Sequence, residues 1–153
     1  MITLLGEYSC KLDAKSRLLL PSTLKRQLGE GDDASRFVIK KSIYKECLEL
    51  YPMKEWEKLI EIIRKKINPF NRKENQFLME FHRGTAELEL DASNRLTIPK
   101  RLLEKAAIGN DVVLIGVGGY IEFWDEKVFE SQTMDNEEFE KTATEIFKTG
   151  FNS

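Results

Sequence analysis

Asp13-Ala14-Lys15-Ser16-Arg17-Leu18-Leu19-Leu20-Pro21 decides how this chain is read, because it occurs twice. The second copy is Asp91-Ala92-Ser93-Asn94-Arg95-Leu96-Thr97-Ile98-Pro99. Asp, Ala, Arg, Leu and Pro recur at a constant spacing of 78 positions (13 to 91, 17 to 95, 21 to 99). The echo extends outward: Gly6 answers Gly84, Leu12 answers Leu90, and Leu24 answers Leu102. Further on, Glu49 in Cys47-Leu48-Glu49-Leu50-Tyr51 answers Glu122 in Tyr120-Ile121-Glu122-Phe123-Trp124, at a spacing of 73 (49 to 122). A chain with such an internal repeat is read as two copies of one unit.

Each motif lies between apolar runs and so reads as a tight connection between strands. Asp suits such a turn because its carboxylate accepts from backbone N–H groups just ahead of it. Arg four positions on can fold back onto that Asp while its remaining guanidinium donors face outward. Ser16 and Asn94 precede the Arg, where the turn calls for a left-handed backbone that Asn tolerates better than Ser. From the residues alone, each pair either locks a turn through a surface ion pair or presents a cation to a ligand. Two spaced copies favour the second, because identical basic loops suit a repetitive ligand.

The first half predicts a strand with Tyr8, Cys10 and Leu12 alternating, then a short buried strand at Arg17–Leu20. A brief helix opens after Pro21 and ends at Gly29. Phe37-Val38-Ile39 and Cys47–Tyr51 form a hairpin, and Met53, Trp56, Ile60, Ile63 and Ile67 mark an amphipathic helix. Asn68-Pro69 breaks that helix at mid-chain. The next helix carries Phe70, Phe77, Leu78 and Phe81, which serve either core packing or a subunit contact. The second half repeats the plan: a strand at Ala86–Leu90, the motif, a short helix from Pro99 to Ala106 closed by Gly109-Asn110, and a hairpin turning at Gly118-Gly119. Helices follow from about Asp125 and Glu137, the last with Phe139, Ala143, Ile146 and Phe147 on one face. One such half exposes sheet edges. Two halves interleaving into a small barrel would cover them.

With 153 residues, 41% hydrophobic and 33% charged, the composition is that of an ordinary globular protein. No signal peptide is expected from residues 1–10, and no apolar run approaches membrane-spanning length. Cys10 and Cys47 read as buried, reduced thiols of a cytoplasmic protein. They and His82 are the thiol and imidazole candidates, and nothing in their spacing couples them into a catalytic or metal site. The net charge of −2 is low for a nucleic-acid binder, but it is segregated. Lys11, Lys15, Arg17, Lys25 and Arg26 face only Asp13 between positions 11 and 26, whereas Glu122 to Lys148 holds nine acids and three bases. A single subunit would therefore bind DNA weakly, and affinity would come from several acting together.

The chain resembles the MraZ family of bacterial transcriptional regulators, related to AbrB- and MazE-type DNA-binding domains. Gly6-Glu7-Tyr8, Leu12-Asp13-Ala14-Lys15, Arg17, Pro21, Asp91, Arg95 and Ile98-Pro99 carry the resemblance, together with Val112–Gly118 and Ile121–Trp124. Where the family more usually has Gly before the Arg, this chain has Ser16 and Asn94. The resemblance implies an α+β, mainly β fold: a duplicated double-split β-barrel, a pseudo-dimer of two β-rich halves with flanking helices. The halves are expected at 5–68 (first AbrB-like half with its helix) and 69–153 (linker helix, second half and C-terminal helix). It further implies a non-enzymatic regulator, assembled as a ring-shaped homo-oligomer, binding direct repeats of double-stranded DNA upstream of a cell-division and cell-wall gene cluster. Arg17 and Arg95 are the expected DNA contacts with Lys15 as helper, and Asp13 and Asp91 the loop-ordering residues. No metal, cofactor, membrane or small-molecule substrate is implied, and the expected location is cytoplasmic and nucleoid-associated. The alternative is an oligomeric scaffold whose Asp–Arg loops serve assembly alone.

Overall fold

The computed structural model describes residues 2–150. The first half runs β1 (Leu4–Lys11), β2 (Arg17–Leu19), α1 (Ser22–Leu28), a 3-10 turn at Asp32–Ser35, β3 (Arg36–Lys41), β4 (Leu48–Pro52) and α2 (Met53–Lys66). Then come α3 (Arg72–His82), β5 (Ala86–Glu89), β6 (Arg95–Thr97), α4 (Lys100–Lys105), β7 (Asp111–Gly118), β8 (Ile121–Asp125), α5 (Glu126–Glu130) and α6 (Asn136–Gly150). The class is α+β, mainly β, and the order of elements repeats as the sequence echo requires.

Local chemistry sets several boundaries. Asn68-Pro69 interrupts α2, and the Asn71 side chain restarts the chain as α3 by accepting from the N–H groups of Lys73 and Glu74, each at 3.0 Å. Asp125 caps α5 in the same way and its other oxygen accepts from Gly109 N at 2.8 Å. Helix α4 ends earlier than its glycine suggests. Ala107 takes the left-handed conformation (φ 54°), and Ile108 N–H reaches back to Leu103 O at 2.9 Å.

Strand order in the main sheet is β1-β7-β8-β4-β3-β5, all antiparallel. The halves are thus exchanged at the edges: β1 pairs with β7 of the second half, and β5 with β3 of the first. A pseudo-twofold axis passes between β4 and β8, where Glu49 stands opposite Glu122. The barrel expected from the sequence is not closed. The motif loops turn the chain out of the ladder after Leu12 and Leu90, whose N–H groups bond to Asn110 O and Ser35 O at 2.9 Å each. Strands β2 and β6 then pair with each other as a separate two-stranded ribbon.

The ribbon lies over one face of the sheet and buries Leu18, Leu20, Leu96 and Ile98 against Phe37, Ile39, Leu50, Leu114 and Phe123. This is the main core, and burial of each such side chain contributes about 1.5–3 kcal/mol. The opposite sheet face carries the paired glutamates. Each has its own lysine: Lys40 Nζ lies 3.7 Å from Glu49, and Lys45 bonds Glu122. Tyr51 donates to Glu49 at 3.0 Å, and Trp124 and Tyr120 donate to Glu122 at 3.0 and 3.3 Å. Opposed like charges would weaken a ladder, and these cations and donors offset that. Helices α2 and α3 cover Lys40, with Phe81 beneath the ammonium and stacked on Trp56.

The aromatic cluster of α3 divides. Phe81 packs inward, but Phe70 is 95% exposed and Phe77 also faces solvent, so core packing accounts for only part of it. At the edge exchange, Gly6 and Gly116 face each other across β1 and β7. A Cβ on Gly116 would stand 2.6 Å from the backbone of Leu4 and Leu5. Gly116→Ala is therefore expected to force β1 off β7 and to destabilise the fold by about 1–3 kcal/mol, the usual cost of overpacking. Urea unfolding of the two proteins measures this, and an unchanged midpoint would show that β1 is not held against β7.

Candidate nucleic-acid interface

The two motif loops are built alike. Asp13 Oδ1 accepts from the backbone N–H groups of Lys15 and Arg17 at 2.9 Å each, and Oδ2 accepts from Arg17 Nε at 2.7 Å. Asp91 Oδ1 accepts from Ser93 N at 2.8 Å and Arg95 N at 2.9 Å, and Oδ2 from Arg95 Nε at 3.1 Å. The Asp13 N–H donates to Arg17 O, matched by Asp91 N–H to Arg95 O, and closes each loop at 3.0 Å. Ser16 and Asn94 both stand at φ 61°, the left-handed backbone expected just ahead of each Arg.

Carboxylates in this setting are stabilised as anions. The backbone N–H of Arg17, followed by its side chain and the Lys15 N–H, holds the Asp13 carboxyl below its ordinary value. The N–H groups of Arg95 and Ser93 act likewise on Asp91. Folding lowers both pKa values, so the stabilisation they give is complete above the ordinary carboxylate value of 3.8 and is lost as pH falls through the lower folded values.

The ribbon sets where the arginines point. Arg17 pairs with Thr97, Leu18 with Leu96, and Leu19 with Arg95. Residues directly opposite in an antiparallel pair share a face, and the next pair along takes the other. Leu18 and Leu96 face the core, so Arg17, Leu19, Arg95 and Thr97 all face outward. The two arginine positions are diagonal neighbours, about 7–8 Å apart. Asp takes only the Nε edge of each guanidinium. Among the described residues the Nη groups have no hydrogen-bond partner and remain available to a phosphate or a guanine edge. Lys15 sits exposed in the first loop, where the second has Ser93.

One member of this face escapes the sequence reading. The run Leu18-Leu19-Leu20 reads as a buried strand, yet Leu19 is 61% exposed between the two arginines. The signal was its echo: Thr97, polar between Leu96 and Ile98, shows that the middle position faces out. Nearby charges are partly balanced. Lys11 lies 3.8 Å from Asp111, and Arg36 pairs with Glu87 at 3.2 Å. Of the two thiols expected to be buried, Cys47 is buried and Cys10 only half-buried. Burial, aided by Glu122, pushes the Cys47 thiol up to about 12, and burial raises Cys10. Among the described residues no His, Cys, Asp and Glu cluster could hold a metal, and no helix is long and apolar enough to cross a membrane.

Removing the Asp13 carboxylate strips the loop of its acceptors without touching the core. Asp13→Ala is expected to speed amide exchange at Lys15 and Arg17 while the melting temperature moves little. Loss of the folded state in a thermal scan would instead make the loop a structural lock.

Comparison with known proteins agrees with this architecture. The family described as "MraZ protein, putative antitoxin-like" matches residues 3–79 and 81–149. A transcriptional regulator MraZ of Flavobacterium psychrophilum is 42% identical over 136 residues, covering 89% of this chain and 85% of its own. Its counterpart in Christiangramia forsetii is 40% identical over 147 residues, covering 95% and 94%. That of Clostridium tetani is 33% identical over 146 residues, covering 95% and 98%. The chain belongs to the MraZ family of transcriptional regulators.

Proposed function

We propose that this protein regulates transcription in the cytoplasm, at the nucleoid, by binding double-stranded DNA through the outward face of β2 and β6. The observation that carries the reading is the arrangement of Arg17 and Arg95 on one two-stranded ribbon, with their Nη groups unengaged among the described residues. A two-stranded ribbon fits the major groove of B-DNA. There Arg17 and Arg95 take phosphate oxygens or guanine edges, Lys15 adds phosphate attraction, and Asp13 and Asp91 keep the loops in shape. Leu19 and Thr97 sit where they can meet thymine methyl groups.

In this reading residues 5–68 and 69–153 are two AbrB-like halves fused in one chain. With a net charge of −2 a single chain binds weakly, so binding is the work of a ring-shaped homo-oligomer. Several loops along one ring face match direct repeats in the duplex. The family resemblance supports placing those repeats upstream of a cell-division and cell-wall gene cluster. The protein needs no cofactor and carries out no catalysis.

The first loop is the more cationic, because Lys15 stands where the second loop has Ser93. Binding of wild type, Arg17→Ala, Arg95→Ala and Asp13→Ala to the DNA upstream of the encoding gene, at three salt concentrations, tests the scheme. Arg17→Ala is expected to lose more affinity than Arg95→Ala, by about 1 kcal/mol or more for each engaged loop. It should also flatten the salt dependence more. Asp13→Ala should lose less than Arg17→Ala, since the contacting cation remains. Equal or reversed losses for the two arginines overturn the charge argument. Wild type without salt-sensitive binding leaves the scaffold reading in its place.

A further inference from the structure

In sequence Lys11 and Lys25 flank the first motif, but the fold carries them to the second. Leu20 N–H donates to Asn94 O at 3.0 Å, and Leu19 stands directly opposite Arg95, so the chain entering α1 lies against the second motif loop. There the end of β1, the start of α1 and that loop border an open cleft of about 630 Å³. Ser9, Lys11, Leu19, Ser22, Lys25 and Asn94 line it, and among the described residues no acid does. Lys25 is half-buried, and among the described residues its ammonium has no ion-pair partner. Lys11 has the exposed Asp111 at 3.8 Å, a weak partner in water.

The pseudo-twofold mate of this place carries different charges. Ile98 N–H donates to Ser16 O at 2.9 Å, so β6 and the start of α4 meet the first loop in the same way. At the repeat spacing of 78 (9 to 87, 11 to 89, 25 to 103), Glu87 stands for Ser9, Glu89 for Lys11 and the buried Leu103 for Lys25. Lys100, in place of Ser22, is the cation gained there, and Arg36 pairs with Glu87. One flank of the ribbon is therefore cationic and the other mixed.

We propose that the cleft between β1, α1 and the second motif loop is a phosphate site for the backbone of the duplex, a role that rests on the DNA-binding reading above. A ribbon seated in the major groove, which is about 12 Å wide, is flanked by the two sugar-phosphate backbones. The cleft opens beside the exposed Leu19, so the strand passing the Arg95 end of the ribbon runs over it. Lys25 and Lys11 take its phosphate oxygens, and the Ser22 hydroxyl and the Asn94 amide add donors from the same cleft. The occupant is DNA rather than a free anion because the cleft is continuous with the arginine face: Leu19 belongs to both, and Asn94 directly precedes Arg95. The backbone grip is one-sided, since Glu87 and Glu89 stand on the other flank. With Arg95 truncated, Lys11 and Lys25 still hold this strand, which agrees with the smaller loss expected for Arg95→Ala.

The test is binding of the full chain, at several salt concentrations, to two duplexes: the DNA upstream of the encoding gene and an unrelated sequence of equal length. Lys25→Gln is compared with Lys66→Gln, which removes the same charge from α2 on the opposite sheet face. Lys25→Gln is expected to bind both duplexes about fivefold or more weakly for each engaged cleft, and to lower the slope of affinity against salt by about one. Lys66→Gln should match wild type. Lys11→Gln, at an exposed strand position, takes over the test if circular dichroism shows Lys25→Gln unfolded. If the cleft variant binds like wild type, the cleft is not contacted and the inference is overturned; Arg17→Ala, run alongside, tells whether the ribbon face still stands. A loss confined to the upstream DNA marks a base contact, and an equal loss for Lys66→Gln marks an effect of total charge, and either overturns the phosphate site. Wild type with no salt-sensitive binding to either duplex removes the DNA reading itself, and this contact with it.

Discussion

Neither edge of the main sheet can be built by one half of the chain. Among the described residues strand β1 has only β7 as a ladder neighbour, and β5 has only β3, so each half supplies the other's outer strand. This exchange ties together residues more than a hundred positions apart, such as Tyr8 and Leu114. It also fixes where the motif loops emerge. Because β1 and β5 are held at opposite edges, the chain leaving each must cross the sheet face, and the two crossings meet as β2 and β6 over the shared core. The arginines stand side by side for that reason alone. They are 78 positions apart in sequence (17 to 95) and diagonal neighbours in space.

The division of labour within each loop follows from which donor is consumed. Asp13 and Asp91 each use both oxygens on backbone N–H groups and the Arg Nε, which fixes the direction of the guanidinium. A bidentate pair through the Nη groups would have consumed the donors needed for a ligand. The left-handed residue at position 16 or 94 makes this geometry possible, since it brings the Arg N–H and Nε to the same carboxylate. Burial on the other side of the ribbon, at Leu18 and Leu96, keeps the outward set from rotating inward.

Much of this was legible in the sequence, for identifiable reasons. The hairpins, the amphipathic α2 and the break at Asn68-Pro69 follow from local periodicity and backbone chemistry. The duplication follows from the echo, and with it the need for the halves to interleave. Which strand would meet which was not legible, because β1 and β5 are equally plausible neighbours for any apolar strand until the register is known. Closure of the barrel failed for a related reason: pattern tells which residues face a core, not whether the last ladder is joined. Leu19 was hidden by its leucine neighbours, since a run of identical residues has no visible period. The exposure of Phe70, Phe139 and Ile146 belongs to surfaces, where an apolar residue looks in sequence like one in a core.

The pseudo-twofold symmetry of the ribbon is broken at its surface. Arg17 and Arg95 are related by it, but the positions beside them are not alike: Leu19 answers Thr97, and Lys15 answers Ser93. A symmetric ribbon could lie on a duplex in either sense with the same energy. This one has a cationic end, where Lys15 and Arg17 stand beside Thr97, and a greasier end, where Leu19 stands beside Arg95, so a duplex laid along it would acquire a polarity. In the proposed DNA-binding reading, copies assembled on one duplex would all carry the same mark, and a site written backwards would be a different site.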